Sequence, residues 1–197
     1  MTAPSPSGST PRNRLRAPTI WTFLPDCPIA KADKRQSETP QVARTLTLPI
    51  GTQAEMTALA TALAPLLRAG DVVLLDGPLA AGKTFFVKAL MAALGSEELV
   101  TSPTYAIANI YEAPDFDVLH VDVYRLKNAR EFYHLGLEDQ VETGVSLIEW
   151  GSRIVDAFDT PLSIGIALGE SETARSVTLS AEADRWSAVF DALEARS

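Results

Sequence analysis

Cys27 is the single cysteine in 197 residues. Neither an intramolecular disulfide nor a zinc site built from partner cysteines is available, and nothing points to an oxidising compartment. Long apolar runs are missing as well, since no stretch reaches the roughly 18 consecutive apolar residues that a membrane span needs. Arg12, Arg14 and Arg16 precede residues 17–29, but Pro18, Pro25 and Pro28 break that segment, leaving a poor apolar core for a secretory signal. These absences predict a soluble, cytoplasmic protein with no membrane partner. Positive charge is also scarce. The formal charge is −8, and residues 1–40 hold six Lys/Arg against three Asp/Glu, leaving −11 for the remainder. An acidic body has no cationic face with which to neutralise phosphates, so any RNA involved is held indirectly, through a partner. No internal repeat is present.

What the sequence does contain is the material of one ordinary globular domain. Apolar residues make up 46% of it, and about 150 residues suffice to bury a real core. Residues 1–42 are rich in Pro, Ser, Thr and Arg without helical or strand periodicity, and are expected to form a disordered N-terminal tail. Order is expected over residues 43–197. It begins with an alternating stretch, residues 42–49, that reads as an edge strand. A capping-box pattern, Thr52-Gln53-Ala54-Glu55, then opens a helix whose apolar face is Met56, Leu59, Leu63, Leu66 and Leu67, with Gly70 placed as its C-terminal cap.

Val72-Val73-Leu74-Leu75 is a continuous apolar run suited to a strand buried on both faces. After a glycine-containing turn, Phe86, Val87, Leu90, Met91 and Leu94 give the next helix a buried stripe ending at Gly95. Further strands are predicted over residues 105–111, 118–126 and 145–150, with a short helix near 129–135. Residues 162–168 and 176–180 look like a hairpin, and residues 183–195 like a closing amphipathic helix. The sum is an α/β fold, a mostly parallel central sheet with helices on both faces and antiparallel strands at the edge, and its order of buried strand, glycine-containing turn and helix is the frame of a P-loop NTPase.

The turn between the buried strand and the second helix is Gly77-Pro78-Leu79-Ala80-Ala81-Gly82-Lys83-Thr84. It fits G-x-x-x-x-G-K-[ST], in which backbone N–H groups turn inward around a phosphate at a helix N-terminus. A separate electrostatic argument agrees. Lys83 falls in the first helical turn, where the positive end of the macrodipole repels a cation by a few tenths to about 1 kcal/mol, so an anion is expected there. A nucleoside triphosphate with Mg²⁺ supplies it, Lys83 reaching the phosphates and the Thr84 hydroxyl reaching the metal. Asp122 and Glu149 each end an apolar strand and are the candidate acidic partners of the metal and of the attacking water, although capping and salt bridging use such positions too. Trp150 follows at the same sheet edge, where core packing is its commoner role. Thr101-Ser102-Pro103-Thr104 is a hydroxyl-rich turn that could sense a γ-phosphate. The Asn-Lys-x-Asp loop of guanine-specific enzymes is missing, which favours ATP, and the arginines after the turn are unclustered, which disfavours a kinase lid.

Together with Asp76 and the loop, the segments Thr101 to Tyr105, His120-Val121-Asp122-Val123-Tyr124-Arg125-Leu126, Leu135-Gly136-Leu137-Glu138 and Leu147-Ile148-Glu149-Trp150 resemble the bacterial TsaE (YjeE) family over about residues 45–195. The resemblance implies a Mg²⁺-dependent ATP hydrolase of tRNA threonylcarbamoyladenosine biosynthesis, and the loop's departures from the family pattern predict slow turnover. Such a protein binds the TsaB–TsaD complex and supports its cycling on the adenosine next to the anticodon, without performing the transferase chemistry. By position it implies Asp122 as the Mg²⁺-linked aspartate, Glu149 as the second acidic residue and Trp150 as the tryptophan beside the nucleotide.

Three departures stand out: Pro78, Ala80 and Phe85 replace the Asp, Gly and Thr usual in the family. If the fourth loop position needs positive φ, Ala80 costs about 1 kcal/mol, and Phe85 removes a hydroxyl near the phosphates. The sequence leaves two further readings open. One is a nucleotide-gated protein-binding module with incidental hydrolysis, and the other a small-molecule P-loop kinase.

Overall fold

The computed structural model describes residues 43–182 and 184–196. The tail expected over residues 1–42 lies outside the described residues. Seven strands form one sheet: β1 (Arg44–Ile50), β2 (Val72–Asp76), β3 (Ala108–Tyr111), β4 (Val118–Asp122), β5 (Val145–Glu149), β6 (Leu162–Leu168) and β7 (Arg175–Ala181). Their spatial order is β1-β7-β6-β2-β5-β4-β3. The central strands β6, β2, β5 and β4 run parallel, and β1, β7 and β3 are added antiparallel at the two edges.

Continuous apolar sequence is what a parallel centre demands, because helices cover both of its faces. Val72 to Leu75 of β2 are all buried. Alternation along the strand divides them: Val73 and Leu75 join one core, Val72 and Leu74 the other. The first core is closed by α1 (Gln53–Leu63), α2 (Lys83–Ala93) and α5 (Ser187–Glu194). The second is closed by α3 (Ala129–Tyr133) and a 3₁₀ turn over Gly151–Ala157, through Phe132 and Ile154. Truncating the fully buried Leu75 to Ala would cost about 2–5 kcal/mol and would loosen the strand that carries the loop.

Local chemistry sets the helix limits. Thr52 accepts from the Glu55 amide at 3.2 Å while Glu55 reaches back to the Gly51 amide at 2.5 Å, which fixes the start of α1. Its end departs from expectation: Pro65 follows and the chain tightens into a 3₁₀ turn over Ala64–Leu66, so Gly70 is not a cap. Gly70 instead turns the chain into β2 with φ +85°. α2 ends as expected at Gly95, where the Gly95 amide bonds Ala92 and the Ser96 amide bonds Met91, a Schellman closure.

Other element limits also depart from expectation. β3 begins at Ala108 and not at Tyr105, because Ile107 at φ +72° breaks the extended run. β4 stops at Asp122, whose side chain accepts from the Tyr124 amide and turns the chain. α4 (Glu138–Thr143) and the 3₁₀ turn after β5 have no forerunner in the expected elements. The last helix proper starts at Ser187, after a 3₁₀ turn over Asp184–Trp186.

Candidate functional site

The C-terminal ends of β2, β5 and β4 lie side by side, with Leu75 opposite Glu149 and Glu149 opposite Asp122. The loop from β2 to α2 rises over that edge, which is where open α/β sheets place their ligands. Two glycines allow its path. At Gly77, with φ +144°, a Cβ would stand 2.3 Å from the Ile166 carbonyl oxygen of β6. Gly82 takes φ +114° immediately before the helix, a value that side chains strain to adopt. Ala80 has φ +63° without being glycine, so the strain expected at the fourth loop position is present.

The first amides of α2 have no carbonyl one turn behind them, and the first helical bond to reach back, from Phe86, ends at Gly82. Lys83 is buried in that first turn, and its ammonium donates to the carbonyls of Gly77 at 2.7 Å and Pro78 at 3.0 Å. The same group lies 3.9 Å from the centre of the Trp150 ring. Burial pushes its pKa below the ordinary lysine value, against the opposite pull of Glu149, Asp122 and Asp76.

Beside it, Thr84 Oγ1 donates to Glu149 Oε1 at 2.6 Å, and His120 Nε2 meets the same oxygen at 3.0 Å. Burial alone would raise the Glu149 pKa. The hydrogen bonds from His120 and Thr84, with the charge of Lys83 behind them, outweigh it and hold the carboxyl below the usual range. Asp122 accepts from Thr104 Oγ1 at 2.8 Å and from the Tyr124 amide at 2.9 Å. The hydroxyl-rich turn is thereby tied to the acidic edge, and Thr101 is anchored in turn on the Tyr111 hydroxyl.

A cleft of about 210 Å³ opens among these groups. It is lined by residues 79–85 of the loop and helix, by Ser102 and Thr104, and by Asp122, Glu149 and Trp150. Sequence-predicted residues Leu79, Ala80, Ala81, Gly82, Lys83, Thr84, Phe85, Asp122, Glu149 and Trp150 are thus brought together; Gly77 and Pro78 serve the cleft through the carbonyls that hold Lys83. Uncapped amides and a buried ammonium make one side fit for an anion. The Thr84 hydroxyl and two carboxylates offer hard oxygens on the other, the donor set of Mg²⁺. No cluster of three or more His, Cys, Asp or Glu able to hold a metal by itself occurs among the described residues.

Two contributors escaped the sequence reading. His120 shares the Asp122 face of β4 by strand alternation, which was the available signal. Arg175, at the start of β7, donates from Nε to the Ala81 carbonyl at 2.9 Å. Nothing local in the sequence announces a bond between residues 94 positions apart.

Comparison with known proteins gives a consistent result. The profile of the family described as threonylcarbamoyl adenosine biosynthesis protein TsaE matches residues 50–177. Proteins named tRNA threonylcarbamoyladenosine biosynthesis protein TsaE are similar to it as well. The one from Treponema pallidum is 45% identical over 95 residues, covering 48% of this chain and 70% of its own length. That from Rickettsia bellii is 39% identical over 104 residues, 52% of this chain and 72% of the relative. That from Streptomyces coelicolor is 38% identical over 133 residues, 63% and 88% respectively. Among solved structures, the crystal structure of the Bacillus protein YdiB superposes with a TM-score of 0.66 at 28% identity, over 79% of this chain and 97% of that one. The expected P-loop NTPase fold, with its parallel centre and helices on both faces, is the fold observed.

Proposed function

Because this chain belongs to the TsaE family of tRNA threonylcarbamoyladenosine biosynthesis, we propose that it binds ATP with Mg²⁺ in the loop cleft and hydrolyses it slowly. On this reading hydrolysis resets a TsaB–TsaD-type complex between rounds of tRNA modification, and tRNA is met only through that complex. The observation that carries the proposal is the convergence of Lys83, Thr84, Asp122 and Glu149 on one cleft from three separate elements.

Each residue has a task there. The α2 amides and Lys83 would hold the β- and γ-phosphates. Thr84, with Asp122 and Glu149, would hold Mg²⁺, which when bound supplies Lewis-acid stabilisation of the phosphoryl oxygens. Glu149, kept ionised by His120 and Thr84, is the group placed to accept a proton from the attacking water or to orient it. Trp150 walls one side of the cleft, backed by Tyr124 with ring centres 5.1 Å apart.

Lys83→Ala tests the site: calorimetry should find no binding of ATP with Mg²⁺, and ATP-dependent tRNA modification should stop. Unchanged binding rejects the assignment. Glu149→Ala separates hydrolysis from gating. If that variant binds ATP and still supports repeated modification cycles, turnover is dispensable and the protein acts as a nucleotide-gated module. A kinase would instead release ADP only when an acceptor is added, and none of the described arginines lines the cleft.

A further inference from the structure

On this acidic body, exposed arginine and tyrosine are gathered on one face. Tyr105, Tyr124 and Tyr133 are 88%, 52% and 44% exposed, a large outlay of aromatic surface in water. Between them stand Arg125, Lys127, Arg130 and Arg153, all exposed. Of the remaining cations of the described residues, Arg44 is paired with Asp191 and Glu194, Arg185 is paired with Asp71, and Arg68, Lys88 and Arg196 stand exposed elsewhere. Lys83 and Arg175 serve the loop.

The face is continuous. The Arg125 guanidinium lies over the Tyr105 ring at 5.3 Å, and that of Arg153 over Tyr124 at 5.3 Å. Arg153 also donates to the Leu126 carbonyl at 3.4 Å. Beyond it, the Tyr133 hydroxyl donates to the Ala157 carbonyl, closing α3 onto the 3₁₀ turn. Glu131, the acidic residue of α3, is turned back onto the Lys127 amide at 2.9 Å.

We infer that this face, Tyr105, Tyr124 and Tyr133 with Arg125, Lys127, Arg130 and Arg153, docks an acidic surface of a protein partner at the mouth of the nucleotide cleft. Arginine and tyrosine are the side chains that most often carry binding energy at protein interfaces, and here the tyrosine rings hold the guanidinium groups in place before the partner arrives. A single-stranded RNA would want a longer cationic track, and the −11 charge of residues 41–197, the face included, opposes an extended polyanion. Charge complementarity therefore favours a compact acidic patch on a protein.

The position of the face gives it a link to the nucleotide. Tyr124 packs on Trp150, which covers Lys83, and Tyr105 follows Thr104, which holds Asp122. A partner seated on the tyrosines touches both walls of the cleft. This inference rests on the reading of the chain as an ATP-binding member of the modification machinery.

The test is the double variant Arg125→Glu with Arg130→Glu, two side chains outside the cleft. Its binding to the purified TsaB–TsaD complex of the same organism would be measured with ATP and Mg²⁺ at low and high salt. A matched control, Arg68→Glu with Lys88→Glu, changes net charge equally elsewhere. The expected result is at least tenfold weaker complex binding for the face variant, little change for the control, nucleotide affinity within twofold of wild type, and no retardation of unmodified tRNA by the isolated chain. Equal losses in both variants, or none in either, overturn the inference while leaving ATP binding intact. Loss of tRNA retardation in the face variant alone, where wild type retards it, assigns the face to RNA and overturns it as well. Failure of wild type to bind the complex at all removes the partner reading itself.

Discussion

The Lys83 ammonium sits 3.9 Å from the centre of the Trp150 ring while donating to the carbonyls of Gly77 and Pro78. Its charge is held by the loop and by a π face, each a weaker partner than a phosphate. The ring is held firmly: Trp150 adopts φ +64°, its amide bonds the Leu75 carbonyl at 2.7 Å, and Tyr124 packs on it. An anion that draws the lysine away therefore changes the surroundings of the indole without moving its backbone.

That relationship gives an optical prediction. ATP or ADP with Mg²⁺ should alter tryptophan emission, and Trp150→Phe should remove the change. Trp186 is fully buried, its Nε1 bound to the Thr160 carbonyl, and is a silent reference. In a Trp21→Phe background, a nucleotide-dependent signal that survives in Trp150→Phe would show that the ring is not at the site.

Glu149 makes a prediction in pH. Its folded-state pKa is depressed, so ionised Glu149 contributes stability that is fully present above its unfolded value, about 4.3. That contribution is lost as pH falls through the lower folded value. Denaturant titrations from pH 7 to pH 3 should show a steeper acid loss for wild type than for Glu149→Gln. The slope is the readout, whatever the variant's stability at neutral pH. Parallel curves would mean that His120 and Thr84 do not hold the carboxylate ionised.

How far the sequence foretold this molecule depended on how local each cause was. Val72 to Leu75 and Gly77 to Thr84 carry their own explanation in composition and spacing, so the buried strand, the loop and α2 are found where expected. The carboxylates Asp122 and Glu149 were legible because each ends an apolar run, and strand pairing then sets them side by side. Element ends fared worse where a single residue overrides a pattern, as Pro65 does for α1 and Ile107 for β3. Long-range contacts left no trace at all. Arg175 counted only as one of several scattered arginines, although its bond to Ala81 exists because β6 and β7 pack beside the loop, against Gly77.

Ala80 holds a left-handed conformation, φ +63°, at the exposed rim of the cleft. Glycine would relieve roughly 1–2 kcal/mol of Cβ strain but would lose about 0.5–1 kcal/mol to the extra freedom of the unfolded chain. Ala80→Gly should therefore raise the melting temperature by roughly 1–4 °C in a domain of this size, and nucleotide affinity should hold or improve. A lower melting temperature would imply that the Ala80 methyl makes a contact worth more than the strain.

Arg175 offers the sharpest test of how the loop is held. Its guanidinium bonds the Ala81 carbonyl, and its Nη1 also bonds the carbonyls of Glu172 and Ala174, so it stitches the β6–β7 hairpin to the turn that presents the α2 amides. Losing one such bond costs about 0.5–1.5 kcal/mol. If the cost falls on loop geometry, it emerges as weaker phosphate binding and not as global unfolding. Arg175→Ala should reduce nucleotide affinity roughly two- to tenfold, with a melting temperature close to wild type. Arg175→Lys, which keeps a donor and a charge but loses the fork, should fall between the two. Affinity within twofold of wild type in Arg175→Ala would mean that Gly77 against Ile166 is enough to fix the loop. A large drop in melting temperature with matching loss of binding would make Arg175 a support for the fold alone.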